Sequence, residues 1–165
     1  MAEADAHNAY LYFLPKGKIK GETTDEDMAA FDAFDVLSFD MSGENRQNIG
    51  SEQGGGKVKF ENFKVKKRTD SATCNIFKEM CADTKFTDAI LVIRRDNRKF
   101  MELTFKQVSI AEFSIAQEGD EESIDELTLD YGAVKIQYYM LVGNQAKLTS
   151  EAYWSRVKQA ATLAV

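Results

Sequence analysis

Residues 99–117 read Lys99-Phe100-Met101-Glu102-Leu103-Thr104-Phe105-Lys106-Gln107-Val108-Ser109-Ile110-Ala111-Glu112-Phe113-Ser114-Ile115-Ala116-Gln117. Met101, Leu103 and Phe105 alternate with Glu102, Thr104 and Lys106, the period of two that a half-buried strand requires. The apolar parity then switches to Val108 and Ile110, and again to Phe113 and Ile115. A parity switch inside a strand marks a bulge, and two in one long strand bend a sheet strongly, as in a barrel.

The neighbouring segments follow the same rule. Ala89–Ile93 is a short apolar run, and Asp96-Asn97 in the charged stretch after it is a plausible hairpin turn. Downstream, Leu127, Leu129 and Tyr131 alternate, Gly132 reads as a turn, and Val134, Ile136, Tyr138 and Met140 resume, which predicts another hairpin. Upstream, Val58 and Phe60 give way to Phe63 and Val65, a further bulge. Leu37, Phe39 and Met41 share one parity and are expected in the core, which puts Ser38 and Asp40 on the opposite face. Tyr10–Leu14 carries large apolar residues on both parities and stops at Pro15, the one proline. Only Thr69–Asp83 has helical spacing, through Thr73, Ile76, Phe77, Met80 and Cys81, with Asp70 or Ser71 as its N-cap. The expected fold is mainly β: a small antiparallel β-barrel of two sheets and about eight strands, with one flanking α-helix.

The chain has 165 residues, 44% of them apolar and 11% aromatic, enough for one packed domain and far from the composition of disorder. Its longest apolar run, Ala9–Leu14, is six residues, against about 20 for a spanning helix, so no membrane insertion is expected. The first eight residues lack the basic-then-apolar order of a secretory signal. Twenty-seven acidic residues outnumber 21 basic ones, for a net charge of −6, which argues against nucleic acid as a partner. Cys74 and Cys81, seven apart on the expected helix, are too distant to bridge and are expected as free, buried small hydrophobes.

Two stretches read as loops, 17–30 and 42–56. The second holds five glycines and a single apolar residue, Ile49, and a loop of that length in a compact domain is commonly functional. Chemical motifs are weak throughout. His7, the sole histidine, stands in a terminus expected to fray, which gives a triad or a zinc site no rigid support. Gly50–Val58 fails as a phosphate loop, because Gly56 stands where the lysine is needed and a strand follows in place of a helix. Asp25-Glu26-Asp27 lacks calcium-loop spacing. No catalytic residue, cofactor or metal is therefore assigned. Charge segregation is the outstanding feature. Glu118–Asp130 has seven acidic residues and no basic one, while Lys57–Arg68 has six basic residues and one acid, Glu61. Such surfaces suit a homo-oligomer in which the basic edge of one subunit meets the acidic edge of another.

Gly17-Lys18-Ile19-Lys20-Gly21-Glu22-Thr23-Thr24-Asp25 resembles the G-I-x-G-E-S/T-x-D opening of the haemolysin-coregulated proteins (Hcp), subunits of the type VI secretion tube. The similarity continues through Phe34–Phe39, Gly54–Phe60, Asp70–Thr73, Leu127–Ile136 and Trp154, spanning Tyr10 to Lys158 of a single domain over residues 1–165, with 1–8 and 159–165 expected to be flexible. The family's usual His and Trp after the Glu-Ser/Thr motif are replaced by Met28-Ala29-Ala30-Phe31, and its usual small tail by Ser155–Val165.

The resemblance implies a homohexameric ring that stacks into a tube inside a contractile sheath, capped by a spike trimer. It also implies effectors held in the ring lumen, and release from the bacterial cytoplasm without a signal peptide. Ile49, Gly54, Gly55, Gly56, Lys64, Lys66 and Arg68 are the candidates for ring or stacking contacts, and Ser38 and Asp40 for the lumen face. The alternatives are a monomeric ligand-binding barrel and a hydrolase using Glu22 with Asp25.

Overall fold

The computed structural model describes residues 7–46 and 57–165. Ile49 and Gly54–Gly56 lie outside the described residues. The strands are β1 (His7–Leu14), β2 (Phe34–Val36), β3 (Ser38–Asp40), β4 (Gly43–Arg46), β5 (Lys57–Phe60), β6 (Phe63–Arg68), β7 (Phe86–Arg95), β8 (Arg98–Ala116), β9 (Ile124–Val142) and β10 (Gln145–Ser155). The helices are α1 (Glu26–Ala29) and α2 (Ala72–Cys81).

Eight strands form one antiparallel sheet in the order β2-β1-β7-β8-β9-β6-β3, with β10 on the far half of β9. The stave that closes this sheet is Phe34–Asp40. Its first half, β2, pairs with β1 and its second half, β3, pairs with β6. Between the halves the Leu37 N–H donates to the Lys66 carbonyl at 2.8 Å. The result is the barrel that the parity switches predict.

The switches of β8 are met by those of β9. Lys106 pairs with Ala133 and Val108 with Tyr131, so Gln107, at φ +49°, and Gly132 occupy facing positions in an unbroken ladder. Both strands change their core-facing parity there, and a second shift follows at Ile110/Glu112. The expected turn at Gly132 is therefore absent, and β9 runs through it for 19 residues. Gly132 instead leaves room for a packed side chain: a Cβ there would lie 2.6 Å from Val165 Cγ1. The segment after Lys158 is held by contacts, since the Ser155 N–H also donates to the Ala160 carbonyl at 2.9 Å.

Aromatic rings fill the interior. Phe63 stacks on Phe105 with centroids 4.3 Å apart, and Phe105 meets Tyr131 edge-on at 4.8 Å. Fully burying each such side chain contributes roughly 1.5–3 kcal/mol. A second small core explains the two apolar parities of β1. Tyr10 and Tyr12 face outward but are covered by Met28, Ala33 and Val92, because the segment carrying α1 lies over β1 and β7. Phe31 stacks on Tyr12 at 4.7 Å, so Met28 and Phe31 use their apolar bulk in this cover.

Five further expectations are corrected. The bulge expected from Val58–Phe60 to Phe63–Val65 is a break between two strands, β5 in the two-stranded sheet and β6 in the barrel sheet. The loop expected over 42–56 begins with β4, which pairs with β5 in a separate two-stranded sheet. The loop expected over 17–30 contains α1, capped by the Asp25 carboxylate, which accepts from the Met28 N–H at 3.0 Å. Cys74 and Cys81 are free but exposed, because α2 buries the stripe of Ala72, Thr73, Ile76 and Glu79. Leu37 and Phe39 are 44% and 39% exposed, since the closing stave is too short to be covered from both sides. Phe39 still shares the core parity, with its ring 6.2 Å from that of Phe63.

Candidate functional site

Directly paired residues of neighbouring strands project from the same face of a sheet. On β3 and β6 the pairs are Ser38 with Lys66 and Asp40 with Lys64. The ladder continues from Lys64 to Thr128 and Glu112, and from Lys66 to Glu126 and Ser114. Two polar rows thus cross four strands on the outer face: Asp40-Lys64-Thr128-Glu112 and Ser38-Lys66-Glu126-Ser114. The Thr128 hydroxyl donates to Glu112 Oε2 at 3.3 Å within the first row. All four residues named from β3 and β6 are exposed. The structure therefore brings the lumen candidates Ser38 and Asp40 together with the interface candidates Lys64 and Lys66 on one surface. Opposite charges alternate along it, and it presents no single sign.

The segregated charges of the sequence meet inside one chain, because β6 and β9 are neighbours. Lys67, on the parity of Phe63 and Val65, points inward and is fully buried with Asp125. Its Nζ donates to Asp125 Oδ2 at 2.9 Å, to Asp70 Oδ1 at 2.7 Å and to the Arg68 carbonyl at 2.8 Å. Asp125 also accepts from the Thr73 hydroxyl at 2.5 Å and from Thr69 at 2.8 Å. Asp70 Oδ1 accepts in addition from the Ala72 N–H at 2.9 Å, which caps the first turn of α2. The cluster ties β6, β9 and α2 together. Arg68, the last of the basic candidates, points outward to Glu122 at 3.0 Å, where both side chains are more than half exposed and the pair contributes at most about 1 kcal/mol.

The Gly17–Asp25 opening is held by its own polar residues. The Thr23 hydroxyl donates to Asp35 at 2.7 Å, and Glu22 Oε1 accepts from the Ser71 N–H at 2.9 Å. Asp25 Oδ2 meets Arg94 Nη1 at 2.7 Å. Glu22 and Asp25 are thus engaged in fixing the segment to α2, α1 and β7. Among the described residues no group of three or more His, Cys, Asp or Glu side chains could hold a metal ion.

Arg156 pins the β4–β5 hairpin to the barrel. Its guanidinium donates to the Phe60 and Tyr131 carbonyls at 3.2 and 3.1 Å and to Asp130 at 3.0 Å, and lies 4.5 Å from the centre of the Tyr131 ring. Burial pushes the Tyr131 hydroxyl up to about 12 although Arg156 pulls it down. Burial, with Glu102 and Asp88 nearby, raises Tyr12 to about 12 as well.

Residues 12–138 match the sequence profile of the family described as "Type VI secretion system effector, Hcp", more than half of the chain. The chain belongs to the Hcp family. Its fold is shared with solved structures of low identity. A structure described as a type six secretion system protein superposes with a TM-score of 0.80 at 21% identity, covering 94% of this chain and 99% of that one. Hcp1 from Salmonella typhimurium gives 0.75 at 23% identity, covering 93% and 97%. A type VI secretion system effector from Yersinia pestis gives 0.73 at 14%, covering 89% and 98%. None of the curated proteins matches this Hcp chain in sequence. Among the described residues no helix is long and apolar enough to cross a membrane.

Proposed function

We propose that this Hcp chain is a structural tube subunit of a type VI secretion system, and that the two polar rows of β3, β6, β9 and β8 line the lumen. Six copies form a ring. Rings stack into a tube that a contractile sheath propels behind a spike trimer, and the lumen carries secreted effectors. The segment with Ile49 and Gly54–Gly56, between β4 and β5, reaches the adjacent ring. Family membership supports the tube role, and the observation that carries the lumen assignment is the mixed-charge face Asp40-Lys64-Thr128-Glu112 beside Ser38-Lys66-Glu126-Ser114. A wall along which cargo enters and leaves has to be polar, because a large exposed apolar patch binds or aggregates. The packed aromatic interior speaks against a monomeric ligand-binding barrel.

The test is Asp40→Arg with a co-expressed effector. Native mass spectrometry of the unaltered chain should give six times its 18.6 kDa mass. The variant should keep that mass while effector abundance falls. Loss of the ring would move Asp40 to an interface, and no change in either measurement would remove it from the lumen. A wild-type chain that stays single in solution would overturn the ring itself.

A further inference from the structure

The turn from β7 to β8 carries cations over apolar ground. Arg95, Arg98 and Lys99 rim a cavity of about 340 Å³ whose walls include Phe100, Tyr138 and Tyr139. Phe100 and Tyr138 meet edge-on at 5.5 Å. The Lys99 ammonium lies 5.2 Å from the centre of the Tyr139 ring and 3.3 Å from Glu102. Met140 and Leu141, which also line it, are 47% and 55% exposed. Asp96 is the one acid among the lining residues, in a chain whose net charge is −6. A cationic rim on an aromatic and aliphatic floor suits an acidic segment that also brings an aliphatic side chain.

This chain has such a segment on its own surface. Ile115 is 55% exposed, and after β8 ends at Ala116 come Glu118, Asp120, Glu121 and Glu122, all exposed. Among the described residues, Glu122 is the carboxylate of this turn that forms an ion pair, with Arg68. Residues 115–122 of the same copy do not line the cavity. We propose that the cavity under Arg95, Arg98 and Lys99 receives the acidic β8–β9 turn, Ile115–Glu122, of a second copy of this chain. The contact is heterologous, joining different patches on two copies, and such a contact propagates into a closed ring or a stack. It rests on the ring-forming reading above and says which surfaces meet. The aliphatic and aromatic groups supply the buried area, and the charges set register and association rate.

Two reversed variants test it: Arg95→Glu with Arg98→Glu, and Glu118→Lys with Glu121→Lys. All four residues flank turns and leave the core untouched, which circular dichroism of each variant checks. Each variant alone should lose either the six-copy species in native mass spectrometry or the stacks in electron micrographs. Mixing the two in equal amounts should restore what was lost, since each altered surface then meets its complement. Combining all four changes in one chain should restore it too. Wild-type-like assembly by either variant alone would overturn the proposal, as would folded variants that stay apart on mixing and in the four-residue form. A wild-type chain that never exceeds 18.6 kDa would instead overturn the ring reading, before any variant is made.

Discussion

The two faces of β6 carry the same residue type to opposite ends. Lys64 and Lys66 project outward into rows where charges alternate and water reaches them. Lys67, next in sequence, turns inward to a dry site with two carboxylates and two threonine hydroxyls around it. On the outer face a charge is cheap to keep and contributes little to stability, because solvent screens it. On the inner face the desolvation cost is offset only while every partner is in place. A face built from screened pairs can be altered for function without unfolding the subunit, whereas the inner cluster cannot be changed piecemeal.

The sharpest way to break this contrast is Lys67→Met. Leaving Asp125 buried without its cation should cost about 3–5 kcal/mol in urea unfolding. Pairing it with Asp125→Leu should recover only part of that loss, because the uncompensated Asp125 charge is removed while Asp70 and the buried Thr73 hydroxyl still lack the partners they had. A single substitution costing under about 1 kcal/mol would mean that water reaches the cluster and that the two faces do not differ.

Alkaline pH probes burial by another route. Tyr12 and Tyr131 are held neutral in the folded state up to about 12, against 10.0 when unfolded. Below pH 10 both states carry the proton and this contribution is whole. It is lost as pH rises from 10 through 12, because the unfolded chain releases protons that the folded one retains. Stability should therefore fall across that window, and fall less in Tyr12→Phe with Tyr131→Phe. The phenolate absorbance of the folded protein should show Tyr12 and Tyr131 lagging furthest, beside Tyr10 and Tyr139, which burial also raises; no lagging group would contradict the burial described. The smallest effect belongs to the outer face. Lys66→Ala should change stability by less than about 1 kcal/mol, measured the same way, and a larger loss would place Lys66 in the inner class.

Much of the barrel was legible because burial on one side writes parity into a strand. Met101-Leu103-Phe105 followed by Val108-Ile110 is the record of a bend at Gln107. Gly132 was misleading for a physical reason. A glycine between two alternating runs is what a hairpin turn needs, and it is equally what a corner needs when another side chain, here Val165, occupies the Cβ position. Strand β4 left no signal, since Gly43–Arg46 has no apolar residue and is held by backbone pairing with β5. Lys67 reads as part of a solvated basic run, yet it stands on the parity of Phe63 and Val65, and that spacing was the one sign of its burial. In α2 the apolar residues lie on more than one side, so spacing could not tell that Cys74, Phe77 and Cys81 form the uncovered side. The basic-aromatic cavity joins β8 to the far end of β9, residues about 40 apart, a proximity that only the ladder creates.

The closing stave has a consequence for how the subunit fails. β2 and β3 contribute three residues each, while the ladder they complete runs 19 residues elsewhere. The barrel therefore has a seam, and local opening concentrates where few buried contacts and few hydrogen bonds must be broken together. An opened seam uncovers two edges at once, β1 and β6, each a row of unpaired amides and carbonyls able to template a foreign strand. In the ring proposed above, that seam is the place where orderly assembly and strand exchange compete. The Leu37 amide, bonded to Lys66 between the two short halves, is the latch that separates them.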